Sequence, residues 1–256
     1  MKKILEIKNL KKNYGLKDTI TYALRNVNFD VYEGEFVGIM GASGSGKTTL
    51  LNCIATILKP TSGEINLRGK DISKLKNKAL AEYRGSEIGY LFQDFQLLDN
   101  LTGYENIALP LSIHNTSLLE IEDKIKEISK TLNIEDILRK FPSEMSGGQK
   151  QRIAAARCLV SDPSIVLADE PTGALDSKSA KTLLEMMFEI NKKVNKTFLM
   201  VTHDANAASY CSRILFIQDG EIFHELIKED DEDRSKFYDR VLSVMSYLGG
   251  GSNNVL

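Results

Sequence analysis

An α/β fold is what this sequence predicts, with a mostly parallel sheet at its core, an antiparallel β portion beside it and an inserted α-helical portion. Three patterns carry that expectation. Residues 36–40 and 165–168 are short continuous apolar runs, suited to strands buried on both faces; the first leads into a glycine-rich loop and the second ends at Asp169-Glu170. Residues 4–9, 27–31 and 64–67 alternate instead, as half-exposed antiparallel strands flanking the buried ones do. From 94 to about 161 the period changes to that of helices with short breaks.

Composition narrows the class. A chain of 256 residues, 42% hydrophobic and 27% charged, can bury a real core in one or two domains. Its formal charge of -2 offers no electrostatic case for nucleic acid. No apolar run approaches the roughly 18 residues needed to cross a bilayer. Glu6 and Lys8 interrupt any signal-peptide core near the start. Cys53, Cys158 and Cys211 are odd in number and widely spaced, which indicates neither a disulfide framework nor a zinc site but free thiols in a reducing compartment. The expectation is a cytoplasmic protein, free to dock on a membrane component.

In chain order, Asn13-Tyr14-Gly15 is placed in a polar loop, where Tyr14 is open to two readings: a platform for a purine ring, or a half-buried aromatic. After the buried run at 36–40 comes Gly41-Ala42-Ser43-Gly44-Ser45-Gly46-Lys47-Thr48-Thr49, which fits the phosphate-loop spacing of Gly, four residues, then Gly-Lys-Ser/Thr. Leu50, Leu51 and Ile54 continue it at helical spacing. Strand, glycine loop and helix in that order let successive N–H groups curl around a phosphate at a helix's positive end. Lys47 then reaches the β- and γ-phosphates, and the Thr48 hydroxyl holds Mg²⁺. Residues 73–84 read as a surface helix and 88–92 as a strand ending at Gln93, a polar residue whose meaning depends on the motifs further along the chain.

Within the helical stretch, Leu118, Ile121, Ile125, Ile128 and Leu132 form one face. Ser146 is a natural N-cap for the helix after it, yet Gly147 and Gly148 directly behind it weaken that helix, as a loop approached closely by another body requires. The second buried run ends at Asp169-Glu170, the position where open α/β sheets bind ligands. There Asp169 suits Mg²⁺ and Glu170 suits an attacking water; the alternative is that both cap the next helix. A helix over 177–191 and a strand over 197–201 come next, ending at His203. His114 and His224 have no such setting and read as solvated.

Taken together, the phosphate loop, Gln93, Ser146-Gly147-Gly148-Gln149, Asp169-Glu170, Gly173-Ala174-Leu175-Asp176 and His203 resemble, in order, the nucleotide-binding subunit of an ATP-binding cassette (ABC) transporter. The likeness covers residues 1 to about 228, with the helical subdomain at about 94–161 inserted. Met145 departs from the family's usual Leu, a volume-conserving change. Met40 to Asn52 looks like the macrolide/lipoprotein-export branch. Residues 144–152, 169–180 and 200–213 look closer to the ATPase of Bce-type antimicrobial-peptide resistance transporters.

The resemblance implies an ATP hydrolase using ATP and Mg²⁺. Tyr14 would stack on adenine, and Gln93 and Asp169 would stand at the metal and the water. Glu170 would be the general base and His203 would contact the γ-phosphate. Two copies would pair head to tail, with Ser146, Gly148 and Gln149 of one closing on the other's ATP and Asp176 bridging the sites. The helical subdomain would meet an integral membrane permease on the inner face of the membrane. A sensor histidine kinase and bacitracin- or lantibiotic-like peptides belong to the same expectation, with lipoprotein-release, macrolide-export and cell-division complexes as neighbouring alternatives. A soluble ATPase working on nucleic acid or ribosomes is disfavoured by the absence of basic clusters and of a second cassette. Intact Lys47, Asp169, Glu170 and His203 disfavour a non-hydrolysing module. Beyond 228, an acidic run at 229–233 reads as solvated. Phe237, Val241, Val244, Met245 and Leu248 form a helical face with three candidate docking places, the chain's own domain first, then a sister subunit or a regulatory partner, ahead of a flexible end.

Overall fold

The computed structural model describes residues 2–15, 19–114 and 116–249. The chain begins with β1 (Lys3–Tyr14), β2 (Thr21–Tyr32), β3 (Phe36–Met40) and α1 (Lys47–Ile54). It continues through β4 (Ser62–Leu67), β5 (Lys70–Asp71), α2 (Asn77–Glu87) and β6 (Ile88–Leu91). Helices α3 (Gly103–Ile113), α4 (Leu118–Thr131) and α5 (Gly147–Leu159) precede β7 (Ile165–Asp169) and α6 (Ser177–Val194). The last elements are β8 (Phe198–Val201), α7 (Ala205–Ala208), β9 (Arg213–Gln218), β10 (Glu221–Ile227) and α8 (Arg234–Gly249).

Two sheets form the body. Five parallel strands and one antiparallel edge strand run in the order β10-β9-β3-β8-β7-β6. β3, β7 and β8 occupy the interior of that sheet, which is why their sequences are apolar without alternation and why β3 and β8 are buried throughout. The alternating strands do not flank β3 within this sheet, as their pattern suggested. They make a separate four-stranded antiparallel sheet, β2-β1-β4-β5. One face of the parallel sheet packs on it around Val37, Ile39, Leu50 and Leu51, and the other packs on the helices around Phe36, Phe198, Phe216 and Ala154. Ile4 and Leu5, on opposite faces of β1, are both buried, so that strand is more enclosed than its alternation implied.

Local differences have local causes. Asn13 and Tyr14 are not in a loop; they complete β1, paired with Tyr22 and Thr21. The surface helix expected over 73–84 is split. Asp71 accepts hydrogen bonds from the backbone N–H and the hydroxyl of Ser73, closing a short 3₁₀ turn over Ile72–Lys74 before α2 starts. The α4 stripe buries Ile121 and Ile125, but Leu118, in the first turn, is 78% exposed beside the equally bare Leu119. In the acidic run, Glu232 is not solvated: its carboxylate accepts a 2.7 Å bond from Arg240 on α8. α8 docks on the body, with Phe237 and Val241 fully buried. The expected flexible end, 250–256, and the side chain of Leu248 lie outside what is described. Among the described residues, no helix is long and apolar enough to cross a membrane.

Candidate nucleotide site

β3 ends at Met40 and the glycine loop turns from it into α1. Gly46 caps that helix at φ = 104°, and a Cβ there would meet the Ala23 carbonyl oxygen at 2.4 Å. Gly41 is needed for a different reason: a Cβ would lie 2.2 Å from the Ile217 carbonyl oxygen of β9. The loop is thereby pressed between β2 and β9. Lys47, only 6% exposed, donates to the carbonyls of Gly41 (2.9 Å) and Ala42 (2.8 Å). Burial pushes its ammonium pKa down, opposed by the negative charges of Glu170 and Asp169. The Ser45 hydroxyl is buried in the same loop, packed against Gly41, with no hydrogen-bond partner.

Parallel strands deliver the other groups to the same edge. The Thr48 hydroxyl donates to Asp169 Oδ1 at 3.2 Å. Burial raises the Asp169 carboxyl above its ordinary range; the Thr48 bond works against that, and the neighbouring Glu170 charge adds to it. Glu170 stands one residue past β7 in the left-handed region, φ = 44°, a conformation that costs a non-glycine residue on the order of 1–3 kcal/mol. Its N–H donates to the Val201 carbonyl, and its own carbonyl accepts from the Gly173 N–H, both at 2.9 Å. Held so, its Oε2 lies 3.1 Å from His203 Nδ1. Neither acid serves as a helix cap; Asp176 caps α6 instead.

Lys47, Thr48, Thr49, Glu170 and His203 line one cavity of about 710 Å³ with Gly41, Ser43, Gly44 and Gly46. An oxygen donor set of one hydroxyl and one carboxylate fits Mg²⁺, which keeps waters and substrate phosphates in its remaining positions.

Other expected residues stand apart from this cavity within one chain. Tyr14 is 40% exposed with the Lys12 ammonium 5.1 Å from its ring centre, at the end of the hairpin whose Ala23 lines the cavity. Gln93 lies against Gly173, where a Cβ would come within 2.6 Å of its amide nitrogen. Ser146 and Gln149 form a capping box, each side chain accepting from the other's backbone N–H at 3.3 and 2.9 Å. Gly148 faces Ser179, whose hydroxyl donates to Asp176 at 2.7 Å, so the Ser146 turn and Asp176 sit side by side. Met145 is buried in the core against the helices.

Sequence reasoning missed several neighbours. The Tyr90 hydroxyl lies 2.9 Å from Asn52 Oδ1 and 3.4 Å from Asp169 Oδ2. Asn52 comes four residues after Thr48, so two polar side chains on one face of an apolar helix were a usable signal. Arg157 of α5 donates to the carbonyls of Gln96 (2.6 Å) and Phe95 (2.9 Å), which themselves hold φ values of 50° and 59° just beyond Gln93. Phe216 and Met245 complete the cavity wall; the helical stripe that contains Met245 marks a packing face, and nothing in either neighbourhood marks contact with the cavity.

A parallel α/β sheet with a glycine loop at its carboxyl edge, and acid, hydroxyl and histidine converging on it, defines a phosphate-loop nucleotide hydrolase. The chain belongs to the ABC transporter family, whose model matches residues 24–173. It is 48% identical over 251 residues to the bacitracin export ATP-binding protein BceA of Halalkalibacterium halodurans, covering 98% of this chain and 99% of that one. It is 47% identical over 256 residues to the ABC transporter ATP-binding protein YxdL of Bacillus subtilis, covering 100% and 98%. Among solved structures it resembles a dimeric, post-hydrolysis state of the ATP-binding cassette MJ0796 bound to ADP and Pi, with a TM-score of 0.80, 40% identity, and coverage of 88% of this chain and 98% of that one. The chain is an ABC ATPase subunit of a transporter, an ATP hydrolase.

Proposed function

We propose that this subunit powers a single large membrane permease that protects against bacitracin- or lantibiotic-like peptides by freeing their lipid-linked cell-wall target. The observation that carries the chemistry is the convergence of Lys47, Thr48, Glu170 and His203 on one cavity, with Asp169 bonded to Thr48. The peptide class rests on similarity to a bacitracin export subunit along nearly the whole of both chains.

In this reading the loop N–H groups of Ser43, Gly44, Ser45 and Gly46, with Lys47, cradle the β- and γ-phosphates, and Thr49 flanks the α-phosphate. Thr48, Asp169 and Gln93 would hold Mg²⁺, which would neutralise charge on the phosphate oxygens. Tyr14 stacks on adenine. Glu170 accepts a proton from the attacking water; the water oxygen bonds to the γ-phosphorus, and the bond to the β–γ bridging oxygen breaks to release ADP and phosphate. His203 holds the Glu170 carboxylate at Nδ1 and stands beside the γ-phosphate. Ser146, Gly148 and Gln149 of a second copy close the site head to tail, with Asp176 at the seam; the dimeric MJ0796 cassettes support that pairing. The bare Leu118 and Leu119 at the start of α4, with Ile113 at the end of α3, offer an apolar surface to the permease. The subunit then sits on the cytoplasmic face of the membrane, and a sensor histidine kinase joins the same assembly.

The test has two parts. Glu170→Gln is expected to bind ATP, lose turnover by about 10²–10⁴-fold and accumulate as a closed dimer on a sizing column; near wild-type turnover removes Glu170 as the base. Capture from native membranes in gentle detergent, with partners identified by mass, is expected to recover one large permease. Recovery of paired small permeases or a cell-division protein discards the peptide class. Recovery of ribosomes or DNA without a membrane protein discards the permease.

A further inference from the structure

The last described helix, α8, packs on the core and reaches the wall of the nucleotide cavity at Met245. Phe237, Val241 and Met245 recur every four residues, so they lie along one face of it over about 12 Å. The first two are fully buried in the core between the parallel sheet and the helices. The third packs partly on that core and also lines the 710 Å³ cavity, beside Met40, Phe216, Glu170 and His203. One face of α8 is therefore both its anchor and a wall of the site.

The anchor is specific. Arg234, at the start of α8, donates to Asn206 Oδ1 at 3.1 Å and lies over the Tyr210 ring at 4.4 Å. Asn206 is on α7, whose N-cap is Asp204, the residue after His203. Arg240, one turn before Val244, is tied to Glu232 at 2.7 Å. The helix thus touches the cavity directly through Met245 and holds the short helix next to His203 in the chain.

We propose that Met245 is a substrate-contacting residue of the nucleotide site, so that the docking of α8 and the binding of nucleotide are coupled. The proposal rests on the phosphate-loop reading of that site. Because such coupling is reciprocal, nucleotide tightens α8 onto the body, and any partner that lifts α8 removes a wall and weakens nucleotide binding. An apolar side chain in the wall of the cavity that holds Lys47 and the glycine loop keeps water from that part of it, which strengthens the field of those groups. It contributes no charge of its own, so charge placed there is read directly by the nucleotide's phosphates.

The experiment measures the affinity of the full chain for a non-hydrolysable, fluorescent Mg-ATP analogue in Met245→Glu and Met245→Lys. Position 245 is partly exposed, so both variants are expected to fold, and a thermal midpoint within a few degrees of wild type checks it. A negative charge at the wall repels the phosphates and a positive one attracts them. The Kd of Met245→Glu is expected to exceed that of Met245→Lys by about tenfold or more; a ratio under about threefold overturns the proposal. Hydrogen exchange on the wild-type chain gives a second readout: the amides of 241–247 are expected to slow when the analogue binds, and unchanged rates there overturn the coupling. Lys47→Ala separates the two levels. If it still binds the analogue as wild type does, the phosphate-loop reading fails. If it loses binding while the Met245 variants match each other, only the role of α8 fails.

Discussion

At Asp169 the metal-holding role proposed above and the needs of folding are opposed. Its carboxylate bonds Thr48, yet burial lifts its pKa above that of an unfolded aspartate. A carboxyl raised on folding stabilises the fold when protonated, fully below the unfolded pKa, and that contribution is lost as pH rises through the folded value. Ionised Asp169 therefore costs stability at neutral pH. Asp169→Asn is expected to raise the thermal midpoint of the nucleotide-free subunit at pH 7–8, with the advantage fading as pH falls into the acid range. Its Mg²⁺-dependent turnover drops by about two orders of magnitude or more. Calorimetry across pH checks the first statement and a phosphate-release assay the second; a lower midpoint at neutral pH would contradict the burial account. Glu170 shows the same opposition in the backbone, since its left-handed φ of 44° is held by bonds from β8 and Gly173 rather than by any preference of glutamate.

At the scale of elements, α5 does more than present Ser146. Near its other end Arg157 grips the carbonyls of Phe95 and Gln96, and burial pushes its guanidinium pKa down from the ordinary value. The positive φ values at those two residues are the kind of strain that surrounding contacts must hold. Arg157→Met strands both carbonyls, each worth about 1–3 kcal/mol when left unbonded. The expected result is a lower midpoint, faster hydrogen exchange over 93–97, and a fall in kcat larger than the change in nucleotide affinity. If kcat and affinity fall together, the arginine only stabilises the fold and does not position Gln93. Two elements differ in how visible they were. α5 was legible from Ser146 onward because its cap is local chemistry. The split of 73–84 into a turn and a helix was not, because the Asp71–Ser73 bonds beat a helical pattern of modest strength.

At the scale of the molecule, the head-to-tail pairing proposed above would make each site a composite of two chains; Ser146 and Gly148 do not line the cavity of their own chain. Lys47→Ala homodimers and Gly148→Asp homodimers are each expected to be inactive. Mixed, they form heterodimers in which one site keeps Lys47 from one chain and Gly148 from the other, so turnover reappears. Absence of any recovery in a mixture shown to exchange subunits would exclude the composite site. The two-sheet architecture is also a property of this scale. Alternation identified half-exposed strands at β1, β2 and β4, but sequence contains no statement of which strand pairs with which, and these pair with one another instead of with β3.

What the chain's order of residues determined alone was everything with a short-range physical cause. The glycine loop between strand and helix, the apolar runs of β3 and β7, and the Ser146 cap each arise from neighbours within a few positions. Glu170 and His203 could be named because they end predicted strands, where parallel sheets gather ligands. Tertiary structure alone decided the meetings across long separations: Tyr90 and Asn52 beside Asp169, Arg157 on the Gln96 backbone, and Met245 in the wall of the cavity. Those contacts depend on how strands order and helices pack, which is set by the free energy of the whole core: the Thr48/Asn52 spacing and the Phe237/Val241/Met245 stripe mark a face of each helix but not what that face meets.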